Sequence, residues 1–396
     1  VAELDRPWTD TPFMFQGFQV TAEDIETLRS HCRFVYVDLG LSEPGAGRSA
    51  RQAVNAGVDA SSDEARSRIA PGPAYEAPFQ HRREPDEGHF RELVAAAEAG
   101  RCQARNEVDR VMHDIRLGRS LDTERARESV EELVHQVSAD SSAALWLTNL
   151  KNRDEYTSIH CVNVCVFALT FGLHMGLERD ELTRLGIGAL LHDVGKTKTP
   201  PEILNKQGAL TDEEFEIVKR HAEDGYQLMY EAGGVPEQAL EVIRCHHERV
   251  NGKGYPLGLR GEDIPLRVRI SGLADTYDAM TSDRTYQNAM SADDALHKLY
   301  RNGAHFFGEG LVQEFIRCVG IFPVGSVVEL DNTAVGVVVA TRADARLQPT
   351  LLLVRTPDGA PYDKRVLLNL AAQARRGEHS RPRRIVRPHR GRLMPQ

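Results

Sequence analysis

Residues 181–196, ELTRLGIGALLHDVGK, decide how this chain is read. Leu182, Leu185, Ile187, Ala189 and Leu190 recur at helical spacing, and the run ends in His192 and Asp193. Neighbouring side chains on a helix point roughly 100° apart, so a packed core has little use for two polar groups side by side. Two metal ions close together do have a use for them, because each residue of the pair can reach a different ion. Further candidates stand on either side: His160 upstream, then His221, the pair His246 and His247, and Asp275 downstream. Imidazole and carboxylate together suit Fe, Mn, Ni or Zn rather than Ca or Mg. The segments carrying them read as four helices and the end of a fifth, which packed side by side aim such residues into one interior pocket. A lone histidine among apolar neighbours, such as His160 in SIHCVNVCV, is more often a satisfied core residue. Burying the whole set without strong partners would cost several kcal/mol, so the set reads as a metal site. His31, His81, His89, His113, His135, His174 and His297 show no partner pattern and keep the structural reading.

The surrounding chain is 396 residues long, which predicts two or three domains. Its net charge of -9 argues against a nucleic-acid polymer as partner but not against a small anion held by local cations. No stretch approaches the ~20 consecutive apolar residues of a membrane span, and VAELDRPWTDTPF does not read as a signal peptide. Cys32, Cys102, Cys161, Cys165, Cys245 and Cys318 lack CxxC spacing and read as reduced thiols, which favours the cytoplasm.

Residues 1–42 read as a small α+β domain: a strand in FMFQGFQV, a helix after Thr21, and a second strand in FVYVDL. Residues 43–88, rich in Ala, Gly, Ser and Pro, read as a flexible linker. A connecting helix over 89–124 leads into a helical domain over 125–320. That domain includes VEELVHQVSADSSAALWLTNLK and TDEEFEIVKRHAEDGYQLMYEAG, each read as one helix. Strand-like runs SVVEL, AVGVVVA, TLLLV and KRVLL make residues 321–370 a short β-rich extension. The Arg- and Pro-rich residues 371–396 read as a basic disordered tail. The fold class is mainly α, a helical bundle with a binuclear metal site.

HDVGK, HHERVNGKGYP and LADTYDAMTSDRTY, in this order, resemble the HD-GYP branch of the HD superfamily, over roughly residues 125–320. The N-terminal segment resembles a small uncharacterised domain found ahead of such bundles. The resemblance implies a bacterial, metal-dependent phosphodiesterase acting on cyclic di-GMP, giving linear pGpG, with the further step to GMP left open. It implies two divalent transition-metal ions, Fe or Mn by preference, with Ni, Zn and Co as alternatives. Asp193 would bridge them and position the attacking hydroxide. His160, His192 and Asp275 would hold one ion, and His221, His246 and His247 the other. Lys196 and Arg284 would contact phosphate, and Gly254 and Tyr255 in the glycine-rich loop would wall the substrate.

Two departures stand out. Gln287 occupies a substrate-contacting position that is frequently basic in the family. Tyr156 replaces the glutamate with which some members bind a third ion, and Asp154 and Glu155 lie off that helix face, so two ions are expected. Asp278 and Asp283 read as structural, with Asp278 placed to orient a ligand. The implied partners are signalling proteins such as a diguanylate cyclase docking on the glycine-rich loop, or a second copy of the chain. The alternative function is a catalytically weak cyclic dinucleotide receptor or interaction scaffold.

Overall fold

The computed structural model describes residues 3–4, 35–36, 87–148, 156–282, 289–341, 347–376 and 383–388. Two compact units divide the chain, Val1–Glu76 and Ala77–Gln396. In the first, β1 (Glu3–Leu4) pairs antiparallel with β2 (Val35–Tyr36), Glu3 opposite Tyr36. β2 falls within FVYVDL. The strand expected in FMFQGFQV, the helix after Thr21 and nearly all of the linker lie outside the described residues.

The second unit begins with α1 (Glu87–Arg116), whose Ala97, Ala104, Val108, Val111 and Met112 are buried. Spacings of seven, four and three place these residues on one face, and that face of α1 packs on α2 (Thr123–Ala139) and α3 (Ser141–Leu147). Residues 89–124 are therefore part of the bundle, not a connector outside it. The segment read as one helix across residue 140 is two. Asp140 is extended, and its carboxylate accepts from the backbone N–H groups of Ser142 and Ala143, starting α3 anew.

α4 (Tyr156–His174) runs through the middle of the bundle. Its Thr157–His174 window is long and apolar enough to cross a membrane, yet 83% of it is buried among the other helices. A helix that is apolar all round and buried in this way is a core helix. Against it lie α5 (Arg179–Leu191) and, further on, α10 (Leu266–Thr281). Between them come α6 (Pro201–Leu204), α7 (Asp212–Lys219), α8 (His221–Ala232) and α9 (Glu237–Cys245). The segment 211–233, read as one helix, breaks at Arg220, whose N–H bonds Ile217 O at 3.2 Å. α11 (Ala292–Lys298), a π turn, α12 (Ala304–Phe307) and α13 (Glu309–Val319) complete the bundle.

Four expected strands form as β3 (Val327–Leu330), β4 (Val335–Ala340), β5 (Thr350–Arg355) and β6 (Pro361–Asn369). They lie in one antiparallel sheet, in the order β6-β5-β4-β3 with a fifth strand, β7 (Ile385–Pro388), beyond β3, over a core of Val328, Leu330, Val338 and Leu351. Residues 371–396 are not wholly an unstructured tail. α14 (Leu370–Arg376) continues from β6, and β7 (Ile385–Pro388) pairs with β3. Without β7 the backbone of β3 would be an open edge. Main-chain pairing needs little side-chain hydrophobicity, and Ile385 adds what packing there is.

Candidate metal centre

Helix ends, more than helix faces, position the site. α4 carries His160 and α10 carries Asp275 from within their helices. His192 is the first residue past α5, and Asp193 turns the chain into the 3-10 turn Val194–Lys198. The His-Asp pair therefore sits at a helix-to-turn junction rather than on continuous helix as expected. His221 opens α8, and His246 and His247 follow directly on α9.

Three imidazoles are oriented the same way. Nδ1–H of His192 donates to Ala189 O at 2.8 Å, that of His221 to Val218 O at 2.6 Å, and that of His246 to Ile243 O at 2.9 Å. A carbonyl only accepts, so each ring presents a bare Nε2 lone pair inward. His221 Nε2 lies 3.3 Å from His246 Nε2 and 3.2 Å from His247 Nε2. His192 Nε2 and Asp193 Oδ1 are buried with no hydrogen-bond partner among the described residues. Converging lone pairs and an orphaned carboxylate oxygen among buried side chains fit cations.

Ligand atoms of His221, His246 and His247 all lie within 4.8 Å of one another, as do those of His160, His192 and Asp275. Asp193 stands between the groups, Oδ1 3.5 Å from His221 Nε2 and Oδ2 3.4 Å from His192 Nε2. Burial opposes ionisation of Asp193, but His192, Lys196, His221 and His160 outweigh it and hold its carboxyl well below the usual range. Burial likewise opposes the charge on Asp275, and His160 and His192 hold it well below as well. Burial pushes His221 down to about 4 and carries His192, His246 and His247 below their ordinary value. Those four rings are neutral at pH 7, the form that binds metal. His160 differs: burial lowers it, but hydrogen bonds to Asp275 and Asp278 raise it to about 9. Without metal it holds a proton where a cation would compete for the same nitrogen.

Asp278, fully buried, was expected to be structural or to orient a ligand. Its Oδ2 meets His160 Nδ1 at 2.8 Å and accepts from Ser282 Oγ at 3.0 Å, while Oδ1 accepts from Asn163 Nδ2 at 3.1 Å. It turns His160 Nε2 toward Asp275 Oδ1, 3.1 Å away. Asn163 and Ser282 escaped the sequence reading, although Asn163 lies one turn from His160 and so shares its face. Asp278→Asn is expected to weaken metal binding and turnover by ~10–100-fold with little change in fold, as measured by metal titration and hydrolysis rates.

Lys196 reaches Asp193 Oδ2 at 2.5 Å through the 3-10 turn. Tyr255 stacks on His247 with centroids 4.6 Å apart. The loop beyond it is tied down by Glu248, a residue the sequence reading passed over, whose carboxylate accepts from the N–H groups of Leu257, Gly258 and Leu259. Gly254 packs so closely that a Cβ would lie 2.6 Å from His247 O. Asp154, Glu155, Asp283, Arg284 and Gln287 lie outside the described residues, as does the side chain of Tyr156.

A helical bundle whose helix ends gather histidines and aspartates around a buried pocket defines an HD-type metallohydrolase. A family model described as "HD domain" matches residues 139–310, and one described as "Domain of unknown function (DUF3391)" matches residues 1–126. Cyclic di-GMP phosphodiesterase PA4108 of Pseudomonas aeruginosa is 33% identical over 356 residues, covering 88% of this chain and 80% of its own. The cyclic di-GMP phosphodiesterase response regulator RpfG of Xanthomonas campestris is 37% identical over 170 residues, 42% of this chain and 45% of its own. A 3'3'-cGAMP-specific phosphodiesterase of Vibrio cholerae is 31% identical over 182 residues, 46% of this chain and 33% of its own. An HDGYP protein of Bdellovibrio bacteriovorus superposes with a TM-score of 0.48 at 18% identity, over 76% of this chain and 88% of its own. The chain belongs to the HD-GYP family of HD-domain phosphodiesterases.

Proposed function

We propose that this protein hydrolyses cyclic di-GMP to linear pGpG, and pGpG onward to GMP, at a centre for two divalent ions. The observation that carries this reading is the gathering of bare Nε2 atoms around the buried Asp193 carboxylate, His221 on its orphaned Oδ1 and His192 on its Oδ2. His160, His192 and Asp275 would hold one ion, His221, His246 and His247 the other, and Asp193 both. Bound there, a divalent pair supplies Lewis acidity toward the phosphate and lowers the pKa of water to near neutrality.

The chain's own groups do the rest. Asp278 and the three carbonyls fix the orientations of His160, His192, His221 and His246, so those four imidazoles do not reorganise during turnover. Lys196 places an ammonium beside Asp193, where a phosphodiester oxygen would gain charge as water attacks in line. The phosphorus–O3' bond breaks, O3' takes a proton, and the product keeps a 5'-phosphate. Tyr255 and the loop anchored by Glu248 wall one side of the pocket, leaving Leu257 half exposed for a signalling partner.

The test is incubation of the full chain, with its metal content measured, with cyclic di-GMP and chromatographic separation of pGpG from GMP. Product is expected with metal, and none after chelation until Fe or Mn is restored. Protein carrying two ions that yields neither product is a receptor or scaffold instead. Cyclic GMP-AMP run in parallel tests how narrow the substrate range is.

A further inference from the structure

An exposed aromatic ring and a cation held over it lie just outside the histidines. Phe215, on α7, is 44% exposed. Lys219, one turn later, holds its Nζ 4.9 Å from the Phe215 centroid and 5.7 Å from that of Tyr255. Tyr255 in turn stacks on His247 and lies 6.5 Å from the His221 ring. The rings form a continuous path from the candidate ligands to solvent, with an ammonium at its outer end.

We propose that Lys219 is a substrate-positioning residue that holds the second, non-scissile phosphate of a cyclic dinucleotide, its ammonium fixed by Phe215 and Tyr255 beside the metal-ligating histidines. This rests on the activity proposed above. A cyclic dinucleotide carries two phosphodiester charges. The scissile one falls to the metals and Lys196, and the other must stay in water or meet a cation. Arg284, the other phosphate contact that the family resemblance implies, lies outside the described residues; among the described residues, two other cations are engaged elsewhere. Arg249 donates to His246 O and Glu248 O and lies over Phe307, and Lys206 bonds Glu214. Lys219 has a partner too, Glu216 Oε1 at 2.5 Å, but the Glu216 side chain is 65% exposed. An ion pair so open to water is worth little, and a phosphate oxygen can displace it. Contact with two ring faces already restrains the long lysine chain, which lowers the entropy cost of meeting the ligand.

The test uses the metal-loaded full chain and two substrates: cyclic di-GMP, with two phosphodiesters, and bis(p-nitrophenyl) phosphate, with one. Lys219→Met is expected to lower the ratio of kcat/KM for cyclic di-GMP over that for the small diester by about tenfold, the worth of one charge-assisted hydrogen bond, through KM. Lys219→Arg is expected to restore most of the ratio. Added salt should depress the ratio more in the wild type than in Lys219→Met. An unchanged ratio in Lys219→Met, or an equal fall for both substrates, overturns the proposal while leaving the activity standing. A wild type that cleaves only the small diester overturns the activity and this proposal with it.

Discussion

Asp193→Ala is expected to cut hydrolysis of cyclic di-GMP by at least ~10³-fold and to strip metal from the protein. Asp193 is where groups from both candidate ligand sets and Lys196 meet. Its Oδ2 accepts from Lys196 and lies 3.4 Å from His192 Nε2, and its Oδ1 lies 3.5 Å from His221 Nε2. Alanine removes the anion between the two ligand groups, so the cations each would hold lose their shared counter-charge and repel. It also frees the Lys196 ammonium from its anchor. Metal content by elemental analysis and kcat/KM on the same preparation separate the two effects. Asp193→Asn keeps the shape and loses the charge, and is expected to fall nearly as far. Activity within tenfold of wild type with metal retained in either variant would show that Asp193 does not join the two groups.

Much of this site could be read from residue order, because adjacent His-Asp and His-His pairs have few structural uses. What sequence does not carry is how those pairs are aimed. His192, His221, His246 and His247 all sit at helix ends, and for the first three the backbone carbonyl three residues back is close enough to take Nδ1–H. Helical periodicity runs straight through such points, which is why 211–233 read as one helix although Arg220 breaks it. The break at Asp140 was missed for the same reason, an aspartate that caps a second helix being indistinguishable by hydropathy from an exposed one. β7 was hidden because its pairing comes from the backbone of β3, while its composition is that of a tail. Glu248 follows the His-His pair and carries no pattern that singles it out, yet it accepts three backbone N–H groups ten or so residues ahead. Its role depends on a loop closure that no local pattern encodes.

The second large effect is expected from a residue with no side chain. Gly195 lies in HDVGK, and there its value is close approach rather than unusual torsion. A Cβ added to it would sit 1.9 Å from His221 O and 2.5 Å from Gly225 N. Both are backbone atoms of α8, so no side chain can swing aside to make room. Gly195→Ala must instead push the start of α8 away from the turn that carries Asp193 and Lys196. Overpacking of this kind costs ~1–3 kcal/mol in stability, seen as a lower melting temperature. The larger consequence is geometric. His221 moves with α8 while Asp193 stays with the turn, so the His221, His246 and His247 group opens by about an ångström, and a shift of that size costs ~10²-fold in rate. Gly310→Ala, where an added Cβ meets nothing within 4 Å, is the matched control and should leave activity and metal content unchanged. If Gly195→Ala melts lower yet keeps full metal and full rate, then α8 relaxes as a rigid body together with the turn. The registry between His221 and Asp193 would then be set elsewhere, by the contact of α8 with α9.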